Sequence, residues 1–180
     1  MALFTLFVLA YLAIGVAFFG RRRPGYSHLR HTISELGESG SAYEWQVSYL
    51  VFLPVGIGWL MAALFSREAA PGAAVLLTAM GAAYALSAFF PCDPGTPLSG
   101  TWKNSIHNLV GGIAYVAMAY QLNELTDGPK EAYFKAALYL LGAFLATFVI
   151  GWPKAAIGML QRLAETSVHA VVVMLLWETR

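Results

Sequence analysis

The stretch that decides the fold is ALFTLFVLAYLAIGVAFF at residues 2–19, which is followed by Gly20 and by Arg21-Arg22-Arg23. It contains no charged side chain, and an α-helix needs about 20 mostly apolar residues to cross a bilayer. A cleaved signal peptide carries its positive charge before the apolar run, whereas here the arginines come after it. We therefore predict a retained spanning helix with its arginine end in the cytoplasm, and a signal peptide is the less favoured alternative.

The composition of the whole chain is that of a membrane protein. Of 180 residues, 58% are hydrophobic and 12% are charged, whereas soluble domains have about 25% charged residues. The 11 Lys and Arg nearly balance the 10 Asp and Glu, so we expect no nucleic-acid-binding surface. The single cysteine, Cys92, excludes an internal disulfide.

Further apolar runs predict an all-α, polytopic membrane helix bundle that forms one integral membrane domain over residues 1–180. The six predicted transmembrane helices are 2–19, 46–65, 73–90, 105–122, 134–152 and 164–177. The last is short, and we expect an amphipathic lead-in from Ala155 to continue into it. In the second span, Pro54 predicts a kink or local unwinding. Four tryptophans lie at span ends, as interfacial indole rings do: Trp45, Trp102, Trp152 and Trp177.

The distribution of Lys and Arg predicts the orientation of the bundle. The connections after spans one, three and five hold seven, namely Arg21, Arg22, Arg23, Arg30, Lys103, Lys154 and Arg162. The other side holds four, namely Arg67, Lys130, Lys135 and Arg180. Because cytoplasmic loops are enriched in positive charge, we predict both termini outside a cell inner (plasma) membrane.

All four histidines fall on the predicted cytoplasmic side. Two of them, His28 and His31, lie in Tyr26–Gly37, whose apolar and polar residues recur at helical spacing. We predict a short interfacial helix there that ends at Gly37 and presents His28 and Glu35 on one face. This helix either belongs to a functional site or is an ordinary interfacial helix whose histidines face water.

The other two histidines, His107 and His169, lie a few residues inside the fourth and sixth spans, at similar predicted depth. An ionisable group at membrane depth is costly unless it faces the interior and finds a partner. Small residues on the face of His107, such as Gly111 and Ala114, leave room for a ligand or for a neighbouring helix. The alternative for His107 is a core histidine that is hydrogen-bonded to a carbonyl, and we favour a site shared with His169.

Three charged residues border these histidines. Asp93 follows the third span in FFPCDPG, where it can carry a proton or bind a metal ion, or simply form a turn. Arg162, Glu165 and His169 share one face of the sixth helix, so we expect Glu165 to orient His169, with Arg162 and His28 as supporting residues. The alternative is a snorkelling Arg–Glu pair at a helix end.

The segments HTISELGESG (31–40) and FFPCDPG (89–95), together with His107, resemble the domain-of-unknown-function 998 family. That family consists of bacterial and archaeal integral membrane proteins, so the resemblance implies a multi-span fold and no settled activity. Its motif positions map onto Ser34, Glu35, Gly37, Pro91, Asp93 and His107.

A weaker likeness links the chain to the membrane hydrolases that include the alkaline ceramidases. Those enzymes place Ser, Asp and His residues around a zinc ion near one membrane face, and Ser34, Asp93, His107 and His169 are of the same types. The chain departs from that pattern, because it has one predicted span fewer and lacks an HxxxH pair on its last helix. The likeness is an analogy.

Two classes of function follow as hypotheses. The first is a membrane-embedded enzyme that acts on a lipid or isoprenoid-type substrate, with a hydrolase as one candidate class. Its predicted catalytic residues are His107, His169, Asp93, Glu35 and Ser34. The residues predicted to bind zinc or another divalent metal are His107, His169, Asp93 and His31, and acid–base chemistry without a metal fits equally well.

The second hypothesis is a small-solute or proton-coupled transporter, or a non-catalytic membrane binding or assembly protein that uses the same cluster. In either class the expected partners are membrane lipids and a lipid-like or small-molecule substrate. Whether His28 or His31 joins the site stays open at this point, because both lie on a helix inferred from spacing alone.

Overall fold

Long helices joined by short connections make up the fold. The computed structural model describes residues 1–126, 128, 130–150 and 155–179, without the side chains of 149 and 150. The long helices are α1 (Ala2–Arg22), α2 (Glu44–Ser66), α3 (Pro71–Phe89), α4 (Trp102–Glu124), α5 (Glu131–Ile150) and α6 (Ile157–Trp177). No strand occurs among the described residues, which confirms the predicted all-α class.

The helices are also compatible with the predicted multi-pass membrane class. In the part of the chain that the structure describes, four helices are long and apolar enough to cross a membrane, namely α1, α2, α3 and α6. The closest helix pairs are α2 with α3, α3 with α4, and α5 with α6. The sixth helix runs without a break from Ile157, so it includes the amphipathic lead-in before residue 164.

The tryptophans occupy two kinds of position. Three are exposed at helix ends, where a membrane interface would contact them: Trp45, Trp102 and Trp177. Trp59 is instead fully buried, and its ring lies 5.1 Å from that of Tyr84. Trp152 and Lys154 lie outside the described residues.

The predicted irregularity in the second span is present as a π-helical turn at Ser48–Phe52, which ends two residues before Pro54. Proline has no N–H, so the carbonyl of Leu50, four positions earlier, lacks its usual helical partner. The hydroxyl of Tyr11 in α1 donates a hydrogen bond to that carbonyl. A neighbouring helix therefore satisfies the group that the proline leaves without a partner.

Glycines allow the backbones of α2 and α3 to touch. A Cβ atom at Gly56 would lie 2.4 Å from the backbone nitrogen of Ala85. A Cβ atom at Gly81 would lie 2.9 Å from the carbonyl oxygen of Gly56. Small residues permit such close approach between membrane helices, and van der Waals packing then stabilises the pair.

The connection between α1 and α2 (residues 23–43, the first connection) corrects one prediction. Tyr26–Gly37 is not an α-helix but a series of turns that ends in one 3₁₀ turn at Ser34–Gly37. The carbonyls of His28 and His31 accept hydrogen bonds from Arg162 of α6, at 2.8 and 3.0 Å. These tertiary bonds use backbone groups that a helix would need, so the helical spacing was misleading.

The contact between α2 and α3 yields a stability prediction. Gly56→Val should destabilise the protein by about 1–3 kcal/mol, because the added atoms force two backbones apart. The matched control is Gly142→Val on α5, where an added Cβ atom meets nothing within 4 Å. Thermal unfolding in detergent, followed by tryptophan fluorescence, measures the difference. An equal loss of stability in both variants would contradict the packing described.

Candidate functional site

A cavity of about 480 Å³ lies between α3, α4, α5 and α6. The first connection contributes Thr32, Ile33 and Ser34 to its wall. The volume is within the range of about 300–1,000 Å³ that ligand sites occupy. Most of the lining is apolar and includes Phe52, Met80, Met118, Phe144 and Phe148.

His107 of α4 lines this cavity and is 8% exposed. Its Nδ1 lies 3.0 Å from the carbonyl oxygen of Phe90. A carbonyl only accepts hydrogen bonds, so Nδ1 carries the proton and Nε2 of the neutral ring carries a lone pair. Nε2 has no hydrogen-bond partner among the described residues, so the imidazole has a basic nitrogen that is not used by the fold.

Glu165 of α6 places a carboxylate in the same cavity, although its side chain is only 6% exposed. Oε2 accepts a hydrogen bond from the hydroxyl of Tyr84 at 2.7 Å. Oε1 accepts bonds from the hydroxyl of Tyr115 at 2.7 Å and from the amide of Gln161 at 2.8 Å. A buried carboxylate needs such donors, because burial without hydrogen bonds is costly.

Gln161 ties this carboxylate to the first connection. Its Oε1 accepts a hydrogen bond from the backbone N–H of Ile33 at 2.7 Å, which orients its amide nitrogen toward Glu165 and Tyr115. Sequence reasoning missed Gln161, Tyr84 and Tyr115. Gln161 was detectable, since it precedes Glu165 by one helical turn. The tyrosines were not, because nothing in the sequence separates them from ordinary core aromatics.

His169 does not share this cavity with His107. Its ring is 1% exposed and lies 4.5 Å from the ring of Trp59 in the core. Its Nδ1 lies 2.6 Å from the backbone carbonyl of Glu165, so the carboxylate of Glu165 does not orient it as predicted. His169 instead borders a groove beside α1 that Leu6 and Leu9 also line.

Asp93 stabilises the start of α4 and is not among the residues that line the cavity. Its carboxylate accepts hydrogen bonds from the backbone N–H and the hydroxyl of Thr101, at 2.6 and 2.8 Å. Thr101 is the N-cap of α4 and accepts a bond from the backbone of Asn104. The geometry therefore supports the turn-forming alternative for Asp93.

The carboxylate of Glu35 is likewise engaged in a hydrogen bond with a backbone N–H group. Its carboxylate accepts a hydrogen bond from the N–H of Thr32, and its own N–H donates to the Thr32 hydroxyl at 3.2 Å. This reciprocal pair is a capping box, whose signature Thr-x-x-Glu was present in the sequence and was missed. It holds the turn that brings Ser34 to the cavity wall.

The predicted metal ligands are not brought together. In the part of the chain that the structure describes, no three His, Cys, Asp or Glu side chains are grouped so that they could hold a metal ion. His107 lines the cavity, His169 lies in the core, and Asp93 caps α4. The Nδ1 of His31 accepts a hydrogen bond from the backbone of Ser27 at 2.9 Å. We therefore do not carry the zinc hypothesis further with these ligands.

Cys92 is a buried thiol in the connection between α3 and α4. It is fully buried, and the hydroxyl of Thr96 donates to its Sγ at 3.4 Å. Burial raises the pKa of the Cys92 thiol to about 12, because it disfavours the thiolate. The side chain is therefore protonated at neutral pH, which favours a packing role.

Hydrogen bonds from Arg162 hold the first connection, which forms part of the cavity wall, against α6. Besides the two carbonyls described above, its guanidinium donates to the hydroxyl of Tyr26 at 2.7 Å and lies 3.2 Å from Nδ1 of His28. Gly158, one turn earlier, leaves no room for a side chain, because a Cβ atom would lie 2.1 Å from the carbonyl oxygen of His31. Arg162 and His28 thus support the wall and do not line the cavity.

The role of Arg162 can be tested with Arg162→Lys. The ammonium of lysine cannot reproduce the fork of guanidinium bonds, so the first connection should open more often. Losing one charge-assisted bond costs about 1.5–3 kcal/mol, so amide hydrogen exchange in residues 26–33 should accelerate by about tenfold or more. The control is Arg30→Lys, an exposed arginine of the same connection. Equal exchange in both variants would contradict the assigned role.

His28 makes the same contact sensitive to pH. Burial, followed by the charges of Arg162 and Arg21, lowers its pKa from the ordinary value. Protonated Nδ1 cannot accept a bond from Arg162, so the contact is complete above about pH 6.5 and is lost as pH falls toward the lowered pKa. Exchange in residues 26–33, corrected for intrinsic rates, should therefore rise below about pH 6.5. His28→Gln should remove this dependence; a dependence that persists unchanged in the variant would exclude His28 as its source.

The comparisons with known proteins give one finding. A family model described as "Protein of unknown function (DUF998)" matches residues 5–178. The match includes nearly all of the chain, so the resemblance noted from the short motifs is confirmed. Searches among curated proteins and among solved structures found no match.

Proposed function

We propose that this protein, which belongs to the DUF998 family, is a membrane-embedded enzyme that acts on a lipid or isoprenoid-type substrate. One observation carries the proposal: His107 and Glu165 line the same, mostly apolar cavity. Ligand sites combine apolar walls with a few convergent polar groups in this way. The apolar wall suits a hydrocarbon chain, and the polar groups suit the head to which it is attached.

In this proposal His107 is the general base. Imidazole is the commonest general base in enzymes, and the bond from Nδ1 to Phe90 holds the ring with its Nε2 lone pair available. Nε2 would take a proton from a substrate hydroxyl or from water. Glu165 would then bind and orient the polar head through its carboxylate.

Ser34 contributes a hydroxyl to the same wall. A serine nucleophile is activated by a base within hydrogen-bond reach. The hydroxyl of Ser34 has no hydrogen-bond partner among the described residues, His107 included. We therefore assign Ser34 to substrate binding and retain His107 as the acid–base group.

We further propose that all six long helices cross the inner (plasma) membrane, with both termini outside and the cavity near the cytoplasmic leaflet. The helices α4 and α5 have 23 and 20 residues, which suffices for a span of about 30 Å. Single cysteines at Arg30 and Glu124, labelled with an impermeant reagent, test this orientation. Equal accessibility from one side of the membrane would overturn it.

The proposed activity can be tested without a known substrate. Protein reconstituted into vesicles of total polar lipid extract is incubated, and mass spectrometry follows the lipid species that disappear or form. His107→Gln should lower the rate by about 100-fold or more, because general base catalysis contributes at least that factor. Gln retains a donor for the Phe90 carbonyl. His31→Gln, in the first connection, is the matched control.

Two results would contradict the proposal. Lipid turnover that is the same for wild type and for empty vesicles would exclude an enzyme acting on these lipids, and uptake of a solute into the same vesicles would favour the transporter hypothesis. Undiminished turnover in His107→Gln would show that another group is the base.

A further inference from the structure

The cavity contains a carboxylate, that of Glu165, that forms no ion pair with any residue that the structure describes. Among the described residues that line it, Glu165 is the only Asp or Glu, and no Lys or Arg is present. The nearest candidate along the chain is Arg162, but its guanidinium is bound to Tyr26 and to the carbonyls of the first connection. The donors that contact Glu165 are all neutral groups, from Tyr84, Tyr115 and Gln161.

The hydrogen bonds of Glu165 leave one acceptor position open. A carboxylate offers about four lone-pair sites on its two oxygens. Oε1 accepts two bonds, from Tyr115 and Gln161, whereas Oε2 accepts one, from Tyr84. One acceptor site on Oε2 therefore has no hydrogen-bond partner among the described residues.

Aromatic rings accompany this carboxylate. Tyr84 packs against Phe52 with ring centroids 5.5 Å apart, and Tyr115 packs against Phe144 at 5.1 Å. All four rings line the cavity. The faces of aromatic rings carry partial negative charge and attract cations.

The same features disfavour an anionic head. A phosphate or carboxylate would meet the charge of Glu165 without a Lys or Arg in the described lining to offset it. In a site of low dielectric constant, repulsion between like charges is much stronger than in water. Such repulsion is one way in which sites gain specificity.

We infer that the ligand of this cavity is an amphiphile with a cationic amine head, whose N–H donates to Oε2 of Glu165 while its hydrocarbon chain lies along the apolar wall. The inference rests on the proposed function, since it names the substrate class of the same cavity. It assigns Glu165 as the residue that selects the charge of the head.

Three probes of equal chain length test the inference: dodecylamine, dodecanol and dodecyl phosphate. Their dissociation constants are measured by calorimetry on the full chain in nanodiscs of neutral lipid, with empty nanodiscs subtracted. The amine should bind at least tenfold more tightly than the alcohol, and the phosphate most weakly. Glu165→Gln, which keeps the shape of the side chain, should reduce the amine-to-alcohol ratio to near one. Glu124→Gln, an exposed glutamate at the end of α4, should leave the ratio unchanged.

The substitution Gly111→Leu tests whether the amine probe binds in this cavity. Gly111 lines the cavity, and a Cβ atom there meets nothing within 4 Å, so a leucine side chain at this position should occupy cavity space. It should abolish binding of the amine, whereas Gly142→Leu on the exposed face of α5 should not.

The outcomes separate this inference from the proposed function. Equal binding of amine and alcohol that Gly111→Leu removes would overturn the amine assignment and leave the cavity as a lipid-type site. Tighter binding of the phosphate would also overturn the assignment. A preference for the amine that persists in Glu165→Gln would overturn the role of Glu165. No saturable binding of any probe would overturn both proposals. The comparison of the three head groups on the wild-type protein tests the amine assignment even if Glu165→Gln does not fold.

Discussion

The buried carboxylate of Glu165 is the constraint on which the site depends. An ionisable group in an apolar interior is tolerated only when other groups satisfy it. Here α3 supplies Tyr84, α4 supplies Tyr115, and α6 supplies Gln161 as well as Glu165. Satisfying one carboxylate therefore fixes the relative positions of three helices around the cavity. The donors that converge on Glu165 form one polar region of the cavity, whereas most of its lining is apolar.

Two consecutive residues of α6 connect this network to the outside of the bundle. Gln161 faces inward and binds Ile33 as well as Glu165, whereas Arg162 binds the carbonyls of His28 and His31. The first connection is thus held by side chains that point in different directions from one helix. Tertiary hydrogen bonds from α6 therefore hold this part of the cavity wall, in which Tyr26–Gly37 forms no α-helix.

The close contact of α2 and α3 sets the other side of the site. Gly56 and Gly81 bring the two backbones together, which places Tyr84 and Phe52 side by side. Tyr84 therefore contributes both to the apolar core and to the hydrogen bonding of the carboxylate. Its ring packs against Phe52 and Trp59. Its hydroxyl donates a hydrogen bond to Glu165. A tyrosine can serve both purposes because one end of its side chain is apolar and the other is polar.

The sequence by itself indicated the all-helical membrane class. A long uncharged segment in a bilayer must satisfy its backbone hydrogen bonds internally, and an α-helix does so within one segment. The sequence also indicated His107 and His169 as unusual, because ionisable groups within apolar runs need partners, and it placed Glu165 beside His169 on one helix face. It did not separate His107, which lines the cavity, from His169, which lies at the same apparent depth but packs on Trp59 in the core. Depth follows from position along a helix, whereas surroundings follow from how each helix is rotated and packed. Only the tertiary structure could therefore show that Asp93 and Glu35 accept hydrogen bonds at turns and helix starts. It also showed that Tyr26–Gly37 forms turns and not the expected helix. The donors around Glu165 come from segments far apart in the sequence, namely Tyr84, Tyr115 and Gln161.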